Sequence, residues 1–116
     1  MVSRQSKCLS ARLEAQFNVL RAIEANPSLS QREISRQLGM SLGKANYCVQ
    51  ALLREGLIKS HNYKNENNKI AYSYTVTQRG MEEKLRLAVA FLNEKQRAFD
   101  LLRSEIKQLQ QETIEK

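Results

Sequence analysis

A helix signal that stops at Gly39 and restarts at Ser41 constrains this chain more than any other feature. Ser30 and Glu33 have the S-x-x-E spacing of a capping box, in which each side chain accepts a hydrogen bond from the other residue's backbone N–H. Leu29 and Ile34 flank that cap at the spacing of a hydrophobic staple. Ile34 and Leu38 supply a buried stripe, and Gly39 stands where a helix ends on a left-handed residue. Ser41 can cap a second helix only two residues later. The pattern predicts a short helix over 31–38 bracing another over 42–55, which Gly56 stops.

The flanks complete an architecture. Leu9, Leu13, Phe17, Leu20 and Ile23 recur every three or four residues, the stripe of an amphipathic helix over 9–25 that Pro27 ends. Past Gly56 the period changes to two. Leu57 to His61 reads as one strand, and Ile70 to Val76 as another with Ile70, Tyr72, Tyr74 and Val76 on one face. An asparagine-rich, basic loop joins them. Thr77 caps a last helix, and neither Pro nor Gly interrupts residues 81–116. Helix, short helix, tight turn, helix and hairpin in this order form a winged helix-turn-helix. The expected fold is mainly α with a small β-hairpin. It has a flexible tail over 1–8, a winged domain over 9–76 and a long C-terminal helix over 77–116.

Composition narrows the function. With 116 residues the chain is one domain plus at most one appended element. No apolar run reaches the roughly 20 residues of a membrane span, and the start lacks the apolar core of a secretory signal. Two distant cysteines make no disulfide framework, so the expected location is the cytoplasm, at the nucleoid. One histidine and two cysteines are too few for a common zinc site, and no paired carboxylates or nucleophile–base set stand out, so neither an enzyme nor a cofactor is expected. Net charge is +7, and it is uneven. Residues 1–76 carry 11 Lys/Arg against 5 Asp/Glu, whereas residues 77–116 carry 8 against 7. The winged part is the part suited to a polyanion.

Candidate DNA-binding residues cluster on the helix over 42–55. Ala45, Cys48, Val49 and Leu52 form its apolar side, with Cys48 read as a small core residue. Gly43, Lys44, Asn46, Tyr47, Gln50 and Arg54 lie opposite at spacings of three and four. N–H groups following Ser41, and its hydroxyl, suit a phosphate. Lys44 opposes the helix dipole in the first turn, which favours a contact outside the chain. Gly43 weakens the helix, either so that its backbone can come close to DNA or to allow a tight contact with the short helix. Asn46 and Gln50 match adenine bidentately, and Tyr47 suits a thymine methyl or a phosphate. Arg32 and Arg36 on the short helix, and Lys64 and Lys69 flanking the hairpin tip, are further phosphate candidates.

The last helix carries a heptad seam. Leu85, Leu92, Phe99 and Ile106 recur every seven residues, with Leu102 and Leu109 in companion positions and Lys95 as a break. The expected partner for Leu85, Leu92, Phe99, Leu102, Ile106 and Leu109 is a second copy of the chain. The first half of this helix is expected to pack on the first helix.

S-L-G-K-A-N-Y-C at 41–48, A-L-L-R-E-G-L-I-K at 51–59 and Y-S-Y-T-V-T-Q-R-G at 72–80 together resemble the MarR-type regulators associated with bacterial exopolysaccharide gene clusters. The likeness spans about residues 9–112. It implies a dimeric bacterial transcription regulator acting near polysaccharide genes. The chain departs from that family in lacking a full N-terminal dimerisation helix, which bears on the family's usual effector pocket. The expected partners are double-stranded DNA and a second copy, with no membrane. The alternative is a winged-helix module that binds protein and not specific DNA.

Overall fold

A computed structural model describes residues 2–64, 67 and 70–114. Six elements follow one another: α1 (Val2–Ala25), α2 (Gln31–Leu38), α3 (Leu42–Arg54), β1 (Ile58–Lys64), β2 (Ile70–Val76) and α4 (Gln78–Ile114). This is the mainly helical winged helix-turn-helix that the sequence predicts, with the long C-terminal helix attached. Two boundaries are corrected. α1 begins at Val2, so the stretch expected as a tail continues the helix; V-S-R-Q-S-K-C contains no Pro or Gly to break it. β1 runs three residues past His61, because Asn62, Tyr63 and Lys64 pair with Tyr72, Ala71 and Ile70 in an antiparallel ladder.

The helix signals work as read. Ser30 Oγ accepts from Glu33 N at 3.1 Å while Ser30 N donates to Glu33 Oε1 at 2.9 Å, closing the capping box. Hydrogen bonding from Ser30 to the Glu33 carboxyl, from the backbone N–H first and the side chain second, holds that carboxyl below its usual range. Gly39 has φ of 66°, and the next N–H, of Met40, reaches back to Ser35 O at 3.0 Å. Gly56 repeats the device at the end of α3 with φ of 71° and a Leu57 N to Leu52 O bond of 2.9 Å. Both are Schellman-type closures that suit glycine.

One core joins α1, α2, α3 and the base of the hairpin. Val19, Leu20, Ile23, Ile34, Val49, Leu52 and Ile58 are its fully buried large side chains. Of the predicted α1 stripe, Phe17, Leu20 and Ile23 are buried and Leu13 is half-buried. The hairpin is anchored by Tyr74, which is buried; its N–H donates to Pro27 O at 3.0 Å and its hydroxyl accepts from Gln31 Nε2 at 3.4 Å. Tyr72, expected on the same face, lies beyond the core and is exposed.

α4 packs on α1 through its first half only. Leu87 is buried, the Phe91 and Phe17 rings lie 5.5 Å apart, and Lys84 pairs with Glu24. The start of α4 is held harder. Thr77 Oγ1 accepts from Gly80 N at 3.0 Å and donates to Gly56 O at 2.7 Å, while Thr77 N donates to Leu57 O at 3.0 Å. Gly80 lies so close that an added Cβ would overlap Leu57 O and come within 2.7 Å of Val76 Cγ1. Gly80→Ala should therefore destabilise the fold by about 2 kcal/mol, as overpacking typically does. Thermal melting should show the loss, and a midpoint equal to wild type would mean the junction has room to spare.

Candidate nucleic-acid interface

α3 has two chemically opposite sides. Ala45, Cys48, Val49, Ala51 and Leu52 are buried in the core. Leu42, Gly43, Lys44, Asn46, Tyr47, Gln50 and Arg54 are all exposed. The division follows from the 3.6-residue period: once these five residues face the core, the intervening positions face out. Burial pushes the Cys48 thiol up, so it stays protonated at neutral pH and behaves as a small core residue.

The N-terminus of α3 is capped by Ser41. Ser41 Oγ accepts from Lys44 N at 3.1 Å and Ser41 O from Ala45 N at 3.0 Å. Those two bonds leave the N–H groups of Leu42 and Gly43 directed out of the first turn. The Ser41 hydroxyl is thus a cap first, with its own proton still free to be donated. Nothing lies within 4 Å of a Cβ placed on Gly43. This removes the reading of Gly43 as a tight contact with the short helix and leaves open space in front of the backbone. Lys44 is exposed and makes no ion pair among the described residues.

The secondary candidates divide. Arg32 and Arg36 are exposed on α2, one turn apart. Lys64 is the last residue of β1, with its side chain outside the described part, and Lys69 lies outside the described residues altogether. The structure brings Ser41, Gly43, Lys44, Asn46, Tyr47, Gln50 and Arg54 onto one surface about 20 Å long, from 13 helical steps at 1.5 Å each. Sequence reading missed Leu42, whose exposure is 45% although it opens this same surface. Its apolar type points to the core, and only the position of the cap shows that it falls outside.

On α4, Leu85, Leu92, Phe99, Leu102, Ile106 and Leu109 are all exposed, and every described residue from Leu92 onward is exposed. The seam does not fold back on its own domain. Among the described residues no helix is long and apolar enough to cross a membrane, and no group of three metal-ligating side chains occurs.

A family model described as winged helix-turn-helix DNA-binding matches residues 12–59, which hold most of α1, then α2, α3 and the first residues of β1. Among solved structures, Staphylococcus aureus MarR in complex with salicylate and kanamycin is similar at 20% identity, with a TM-score of 0.60 over 84% of this chain and 67% of that one. A Thermoplasma acidophilum protein provisionally described as a transcriptional regulator gives a TM-score of 0.67 at 18% identity, over 79% of this chain and 93% of that one. The PcaV transcriptional regulator of Streptomyces coelicolor, crystallised with its natural ligand, gives 0.55 at 22% identity, over 88% and 86%. These likenesses establish a MarR-like fold. No curated protein sequence matches the chain.

Gly43→Ala should raise the melting temperature, since alanine in open space adds up to about 1 kcal/mol of helix propensity. A fall in stability would show that the first turn of α3 is more crowded than the geometry allows.

Proposed function

We propose that the chain is a homodimeric transcription regulator that reads double-stranded DNA with α3. One observation carries this reading: the outward side of α3 is polar, cationic at both ends and uncommitted within the chain, although a glycine and a first-turn lysine there cost helix stability. A helix of this width fits the major groove, which is roughly 12 Å across. Its outward N–H groups, Lys44 and Arg54 suit phosphates, while Asn46 and Gln50 suit base edges. Arg32 and Arg36 extend the positive surface, and the hairpin is the further element suited to the adjoining backbone. The match over residues 12–59 supports the same reading.

Dimerisation is proposed through the distal part of α4. Phe99, Leu102, Ile106 and Leu109 keep the alternating three- and four-residue spacing of a coiled-coil seam and stand in solvent in the single chain. A second copy is the economical cover, and it would give an inverted-repeat site with half-sites roughly 34 Å apart. The resemblance at 41–48 and 51–59 supports bacterial polysaccharide-related genes as targets, with action at the nucleoid in the cytoplasm.

Three measurements test the proposal. Lys44→Ala should weaken binding and flatten the slope of log affinity against log salt by about one unit. A chain that elutes from random-sequence DNA at the lowest salt would instead be the protein-interaction module. Leu102→Asp combined with Ile106→Asp should give monomers by light scattering and weak operator binding; a variant that stays dimeric places the interface elsewhere.

A further inference from the structure

We infer that Leu42 is a base reader, seated against a thymine methyl group, and that the half-site core is built of A·T pairs. The inference rests on the regulator reading above. It begins from where an apolar residue has been left. Leu42 is the first residue of α3, directly after the cap Ser41, and is 45% exposed, while the apolar residues Ala45, Val49 and Leu52 of the same helix are completely buried. A lone exposed leucine is ordinary on a protein surface. This one is distinguished by its neighbours.

Leu42, Asn46 and Gln50 follow one another at steps of four and form a single ridge. The ridge is about 12 Å long, eight helical steps at 1.5 Å, which matches three to four stacked base pairs. In a helix-turn-helix the N-terminal residues of the second helix meet the base edges. Leu42 sits at that end, beside Gly43, whose missing side chain leaves open space within 4 Å and lets the backbone come close. A leucine brought to a base edge offers no hydrogen bond, and the apolar feature of the major groove is the thymine C5-methyl. Asn46 and Gln50 both match the donor–acceptor pair of adenine. Between Leu42 and Gln50 the ridge carries no carboxylate to accept from cytosine and no cation for guanine; the next step of four, Arg54, lies at the far end of the helix. All three side chains therefore select A·T pairs, and Lys44 and Arg54 flank them as phosphate or outer contacts.

The test uses the full chain and duplexes it enriches from a random pool. Each thymine is replaced in turn by deoxyuridine, which removes only the methyl. Wild type should lose about fourfold in affinity at one position in each half-site, the worth of one buried methyl. Leu42→Ala should bind the enriched duplex more weakly, with no difference between thymine and uracil at that position and an unchanged salt slope. Leu42→Met, which keeps an apolar side chain, should retain the difference. Wild type tolerant of uracil everywhere, Leu42→Ala as sensitive as wild type, or half-sites centred on G·C pairs would each overturn the inference while leaving DNA binding intact. Enrichment of no sequence at all would overturn the regulator reading instead.

Discussion

The arrangement depends on what happens at two peptide groups, those of Gly56 and Leu57. Gly56 turns left-handed so that Leu57 N can close the end of α3 on Leu52 O. The two carbonyls then face the start of α4: Gly56 O accepts the Thr77 hydroxyl, and Leu57 O accepts Thr77 N. Gly80 permits the approach by having no side chain to put in the way. The same short stretch therefore terminates the proposed reading helix and moors the long helix. A change at either end of this junction would alter the angle between the proposed reading surface and the helix proposed to meet a second copy.

The outward side of α3 is a consequence of the inward one. Burying a residue such as Val49 or Leu52 contributes about 1.5–3 kcal/mol, so the rotation of the helix about its axis is set by the core. The exposed set follows from that rotation. Within it, Gly43 and Lys44 each run against local helix stability, by roughly 1 kcal/mol and a few tenths respectively. Costs concentrated in one turn, at the end where N–H groups point outward, coincide with the place where the proposed contact would be made.

Much of this was legible in the sequence because it rests on local chemistry. The Ser30–Glu33 box, the caps at Ser41 and Thr77 and the stops at Gly39 and Gly56 involve residues within a turn of one another, and all appear as predicted. The buried and exposed sides of α3 also follow from period alone. What was hidden depends on distance in space. Gly80 reads as one of four glycines until Leu57 O is found against it. Tyr72 and Tyr74 share a face by alternation, yet only Tyr74 reaches the core, because the hairpin outruns the domain it rests on. Leu42 looks like a core residue by type and by period, three before Ala45 and seven before Val49, and is exposed only because it opens the helix, directly after the Ser41 cap. The start of α1 at Val2 had no cap to announce it.

The long helix makes the molecule 73 Å in its greatest extent against 26 and 23 Å in the others. From Gly80 to Ile106 is 26 residues, about 39 Å of unbroken helix. If two copies join near Ile106, each winged domain rides at the tip of a stiff arm of that length. A 10° change in the crossing angle would carry one tip sideways relative to the other by about 7 Å, two base-pair rises. Small adjustments far from the nucleic acid, in the tilt of one rod against another, would then decide whether both tips find their grooves together.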